Sequence, residues 1–135
     1  MSRLTLGAAG GLLLSLLAVA WAEDPRPLTP AEAIRQIGQP GVVVEMVVKK
    51  AKNRLEQRGL IYLDSEEDFR DEKNLGVAIS AEAAAKFRAQ GIADPAAHFL
   101  GQTIRVRGCV MRFENRPYLP VHDPQQITLI PKKPR

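Results

Sequence analysis

The sequence predicts a mainly β fold with helices: a five-stranded Greek-key barrel, a helix between its third and fourth strands, and an extra helix on the N-terminal side. Three observations predict it. Short stretches alternate apolar and polar residues, the period of half-buried strands, and turn residues separate them. One capped helical stretch falls between the third and fourth of these strands. The chain's 135 residues give room for one domain, not two. The rival arrangement is a small α+β sandwich built from the same elements.

The elements follow in chain order. Residues 23–28 carry Pro25 and Pro27 and read as an extended leader. Thr29, Pro30 and Glu32 then start a helix: Thr29 can cap it, proline suits its first position, and Glu32 can complete a capping box. Ala33, Ile34 and Ile37 form its apolar stripe, and Gly38 ends it. The first strand spans residues 42–49, with Val42, Val44, Met46 and Val48 on one face and Glu45 and Lys49 on the other. Residues 50–58 are polar and are expected to turn back. The second strand is 60–63, residues 64–74 form an acidic loop, and the third strand is 75–79. Ser80 caps a helix over 81–90 that Gly91 stops, and Asp94-Pro95 starts a further helical turn ended by Gly101. A long strand over 103–113 follows, with Gly108 as a bulge or bend. Residues 118–121 and 127–130 are short strands around the His122-Asp123-Pro124 turn. A five-stranded Greek-key barrel with a helix inserted at that point is the OB-fold. It occupies residues 41–131, after a leader and helix over 23–40 and before a basic tail over 132–135.

The apolar content of 45% is unevenly spread. Residues 4–22 carry no charge, Arg3 precedes them, and they end Ala20-Trp21-Ala22. A positive start, an apolar stretch and a small-residue exit make residues 1–22 a secretory signal peptide. The alternative is an uncleaved anchor, against which Gly7, Gly10 and Gly11 weigh as helix weakeners. Cleavage after Ala22 leaves 113 residues and removes only Arg3 from the charged set, so a net charge of +4 becomes +3. The expected location is periplasmic or secreted, with no stable membrane span after cleavage. A single cysteine excludes an internal disulfide framework and a multi-cysteine zinc site.

Three stretches resemble small extracytoplasmic OB-fold proteins and nuclease-associated OB-fold domains. The first is Ile61-Tyr62-Leu63-Asp64-Ser65, followed by Phe69-Arg70-Asp71 and Asn74-Leu75-Gly76-Val77-Ala78-Ile79. The second is Leu100-Gly101-Gln102-Thr103-Ile104-Arg105-Val106-Arg107-Gly108. The third is Asn115-Arg116-Pro117-Tyr118, then Val121, then Asp123-Pro124-Gln125-Gln126-Ile127. The chain departs from the pattern at Asp64, Gln102 and Asn115, where asparagine, lysine and glycine are usual; the first two weigh against polyanion binding. The resemblance implies a fold more than a ligand, because this fold hosts nucleic-acid, oligosaccharide and protein binders.

Charge is segregated along the chain. Residues 64–72 hold six acids and one base, whereas residues 105–135 hold seven bases and two acids. Residues 45–58 hold five bases and two acids. A basic surface on the first and fourth strands can track a phosphate backbone, and the competing reading is a solvated face. Single-strand binding also needs flat side chains for stacking. After cleavage the aromatic rings are Tyr62, Phe69, Phe87, Phe99, Phe113 and Tyr118; Phe87 and Phe99 sit on helical apolar stripes and belong to the core, and of the rest Tyr62 and Tyr118 are the platform candidates. The candidate binding residues are therefore Lys49, Lys52, Arg54, Tyr62, Arg105, Arg107, Arg116 and Tyr118.

No catalytic set is visible. His122 and Asp123 are adjacent on an extended segment and point apart. His98 reads as structural, and Cys109 as a buried, inert thiol. The acidic loop lacks the ligand spacing of a calcium loop. The expectation is an exported, non-catalytic binding module without cofactor or metal, whose ligand is single-stranded nucleic acid, another extended polyanion or an oligosaccharide. The alternative is a protein-interaction or assembly domain of the cell envelope, and a hydrolase is the weakest reading.

Overall fold

A computed structural model describes residues 26–132. The expected signal peptide, residues 23–25 and the end of the basic tail lie outside the described residues. Within them, no helix is long and apolar enough to cross a membrane. The elements run α1 (Pro30–Ile34), β1 (Val42–Val47), β2 (Lys50–Arg54), α2 (Leu55–Arg58), β3 (Leu60–Asp64), β4 (Gly76–Ser80), α3 (Ala81–Ala89), α4 (Pro95–Phe99), β5 (Thr103–Gly108), β6 (Met111–Phe113), β7 (Arg116–Val121), a 3-10 turn (Pro124–Gln126) and β8 (Ile127–Ile130).

The fold is mainly β, in two sheets of order β1-β5-β8 and β2-β3-β4-β7-β6. Neighbours are antiparallel except β4 and β7, which pair in parallel from Gly76–Tyr118 to Ile79–Val121. The ladders do not form the single closed five-stranded barrel expected. Two long strands each break midway, and their halves pair in different sheets. The first breaks after Val47: the Val48 N–H reaches the Gln102 carbonyl beside β5, and the Lys49 N–H reaches the Asp64 carbonyl on β3. The second breaks at Cys109-Val110, between β5 and β6.

Residues 50–54 are strand β2, not the expected turn, paired with β3 from Lys50–Asp64 to Arg54–Leu60. Their polarity has a physical reason. Lys52 and Arg54 face a groove, and on the other face only Ala51 packs against the core, Asn53 being exposed. The Asn53 amide donates to Asp94 Oδ1 at 3.2 Å, at the start of α4.

The predicted caps form. Thr29 Oγ1 accepts from the Glu32 N–H at 3.2 Å, and Glu32 Oε1 accepts from the Thr29 N–H at 2.9 Å. Helix α1 is shorter than expected, and residues 35–38 are turns ending at Gly38 with φ +88°. Ser80 caps α3 and Asp94 caps α4. The core gathers Val44, Met46 and Val48 with Ile61, Leu63, Val77, Ile79, Ile104, Val106, Leu119 and Val121, and Phe87 and Phe99 close one end edge to face at 5.7 Å. Each fully buried aliphatic side chain contributes about 1.5–3 kcal/mol. Arg105 and Arg107 point outward, alternating with buried Ile104 and Val106, as the pattern predicts. Cys109 is half-buried, not buried, because it lies in the break where the strand leaves one sheet for the other.

Candidate functional site

The outer face of β2-β3-β4-β7 is concave because of the side chains the sequence puts there. Period-two alternation sends Ile61, Leu63, Val77 and Ile79 into the core. Leu60, Tyr62 and Asp64 of β3, with Gly76 and Ala78 of β4, are left on the opposite face. In the middle of the sheet Lys52, Tyr62, Ala78 and Pro120 form one row across four strands. The next row is Lys50, Asp64, Gly76 and Tyr118. Gly76 and Ala78 supply almost no height, so they form the floor of a groove. Its volume is about 1370 Å³, and its walls come from β2, α2, the loop 65–75 and the β6–β7 hairpin.

Asp64 lies on that floor and is only 4% exposed. Asn74 Nδ2 donates to its Oδ1 at 3.1 Å. A Cβ on Gly76 would come within 3.2 Å of the same oxygen, so the absent side chain makes room for the carboxylate. Burial raises the Asp64 pKa above the ordinary aspartate value, against the lowering effects of the Asn74 hydrogen bond and the Lys52 charge.

The loop 65–75 is tied to the groove. The Ser65 N–H donates to the Leu75 carbonyl at 3.1 Å, and the Leu75 N–H to Ser65 Oγ at 2.9 Å. Asn74 Oδ1 accepts from the Glu66 N–H at 3.0 Å. The Phe69 ring lies 4.4 Å from Lys52 Nζ and 4.4 Å from the Arg116 guanidinium. Those two cations come from β2 and β7, on either side of β3 and β4. Asp68, next to Phe69, is held below the usual carboxylate range by the Arg70 N–H first, then by the Arg70 and Arg116 charges.

Five of the eight residues singled out from the sequence meet here: Lys52, Arg54, Tyr62, Arg116 and Tyr118 all line the groove. Three do not. Arg105 and Arg107 lie on β5 in the other sheet, where Arg105 pairs with Glu45 at 2.8 Å. Lys49 lies at the junction between the sheets and pairs with Glu66 at 3.4 Å. Sequence reasoning missed Arg58, Arg70 and Arg112, which bring the groove's lining to six basic and four acidic side chains. It also missed Phe69 and Phe113 as surface aromatics; Phe113 is 66% exposed beside the hairpin tip. Their signal was present, since both stand among charged residues and off any apolar stripe.

Other titratable groups have structural work. Asp123 caps the 3-10 turn through the Gln125 N–H at 2.9 Å and pairs with Lys86 at 3.1 Å. His98 packs its ring edge to face against Phe99 at 4.8 Å. Among the described residues, no group of three or more His, Cys, Asp or Glu side chains is placed to hold a metal ion. No protein-family model matches the chain, and no curated protein is detectably similar to it.

Proposed function

We propose that the groove on β2-β3-β4-β7 binds single-stranded nucleic acid or another extended polyanion, and that the protein is an exported, non-catalytic OB-fold module. The observation that carries the reading is the company of residues in one groove. Lys52, Arg54, Arg58, Arg112 and Arg116 share it with Tyr62, Phe113 and Tyr118. Single-strand binders combine these two features: cations that follow the backbone and flat side chains on which bases stack. The OB-fold reading is supported by the two strands that pass between sheets, the parallel β4–β7 pair, and α3 between β4 and β5.

The four carboxylates in the same lining favour a second reading, an extended polypeptide of mixed charge in a cell-envelope assembly. Salt dependence separates the two. Five phosphate contacts on a single strand give a slope of log K against log salt of about −3.5, so affinity falls roughly 100-fold between 50 and 200 mM salt. Fluorescence anisotropy with labelled dT12 measures this. Lys52→Gln with Arg116→Gln should flatten the slope by about 1.4, and Arg105→Gln with Arg107→Gln should leave it unchanged. Salt-independent affinity, or equal losses from the two pairs, would remove the polyanion reading.

A further inference from the structure

Resting on that reading, we infer that the loop 65–75 is a built-in occupant of the groove: its acidic segment and Phe69 hold the cation pair Lys52 and Arg116 that a ligand's phosphates and bases would take. The segment has the chemistry of such a ligand. It places one flat ring among Glu66, Glu67, Asp68, Asp71 and Glu72. The ring contacts both cations at 4.4 Å, and Asp68 adds a negative charge beside Arg116.

The loop is also built to stay near the groove whether or not Phe69 is seated. Its two ends are locked by the Ser65 and Leu75 hydrogen bonds, and Asn74 is buried on Asp64. The tip has weaker ties. The Phe69 carbonyl accepts from Asn74 Nδ2 at a long 3.5 Å, and the ring is 43% exposed. A tip held by an exposed ring on half-buried Lys52 and exposed Arg116, with the Asp68 charge beside Arg116, can leave its seat between fixed ends without unfolding the sheet. A ligand must therefore displace Phe69 before it reaches Lys52 and Arg116.

Removing the ring should tighten binding. Two cation–π contacts to an exposed ring correspond to an affinity gain of about 5- to 30-fold for Phe69→Ala over the native chain. The probe is labelled dT12, titrated by anisotropy against the full chain. Tighter binding by Phe69→Ala supports the inference. Binding by the native chain with equal or weaker binding by Phe69→Ala makes Phe69 a bystander or a platform, and overturns the inference while leaving the groove reading intact. Absence of dT12 binding by both proteins overturns the groove reading, and the competing role of the loop with it. The seat has a readout that needs no ligand. Lys52→Gln with Arg116→Gln should speed tryptic cleavage after Arg70 several-fold; an unchanged rate shows that the cations do not hold the tip and overturns the inference.

Discussion

Replacing Gly108 with alanine should destabilise the protein through one contact between the sheets. Gly108 ends β5, and a Cβ there would lie 2.8 Å from Leu119 Cδ2 on β7 and 3.3 Å from Gln126 Nε2. The Gln126 amide is already engaged, donating to the Arg107 carbonyl at 2.9 Å and the Pro120 carbonyl at 3.2 Å. Gly108 is not among the glycines at positive φ, so alanine meets no backbone strain there. Its lower unfolded-state entropy favours the variant by about 0.4–1 kcal/mol. Against that, Leu119 is fully buried and must be displaced, an overpacking cost of about 1–3 kcal/mol. The balance is a loss of about 1–2 kcal/mol, which for a domain near 100 residues lowers Tm by roughly 5–15 °C. Urea denaturation of Gly108→Ala, Leu119→Ala and the double variant measures it. Leu119→Ala alone should cost about 2–5 kcal/mol through its cavity. The double variant should lose less than the sum by about 1–2 kcal/mol, since the new methyl enters the space Leu119 vacates. An undiminished stability for Gly108→Ala, or additive losses, would refute the close approach of β5 and β7.

Two further outcomes follow from local structure. Asp64→Asn should be more stable than the native protein at pH 7, because burial disfavours the Asp64 carboxylate and raises its pKa above 3.8. The folded state then binds the proton more tightly than the unfolded state, so native stability rises as pH falls through the raised pKa towards 3.8, and the gap to Asp64→Asn closes. Paired thermal melts between pH 3 and 7 check this, and a gap that widens on acidification contradicts it. In the β6–β7 hairpin, Glu114 and Asn115 have φ of 50° and 63°, the left-handed pair that a two-residue turn of this hand demands. Glu114→Gly should relieve about 1–2 kcal/mol of left-handed strain against an unfolded-state entropy cost of about 0.4–1 kcal/mol, a net gain that raises Tm by a few degrees, and a fall in Tm would show that the Glu114 side chain has a structural role.

The sequence shows where pattern carries information and where it does not. Caps at Thr29, Ser80 and Asp94 were legible because each depends on residues within one helical turn. The alternation around Arg105 was equally local. Strand β2 was not legible: Ala51 is its only apolar residue, and what makes it a strand is pairing with neighbouring β3 and the bond from Asn53 to Asp94 at the start of α4, far along the chain. The two strand breaks were likewise invisible, because Val48 and Cys109-Val110 change sheets according to what lies beside them. For the site, charge segregation gave the ingredients but not their arrangement. Basic residues of β5 went to the far sheet, whereas Arg58, Arg70 and Arg112 came into the groove through turns and the hairpin. The charge of the acidic loop was legible but not its place: buried Asn74 and the Phe69 seat fold it onto the basic groove.

The central claim is that ligand enters the β2-β3-β4-β7 face. Backbone amide chemical shifts recorded while dT12 is added to 15N-labelled protein test it most directly. The account predicts the largest shifts at Lys52, Tyr62, Ala78 and Tyr118 and along the loop through Phe69, with Arg105, Arg107 and Thr128 unmoved. Shifts centred on Arg105, Arg107 and Thr128, with the groove silent, would contradict it.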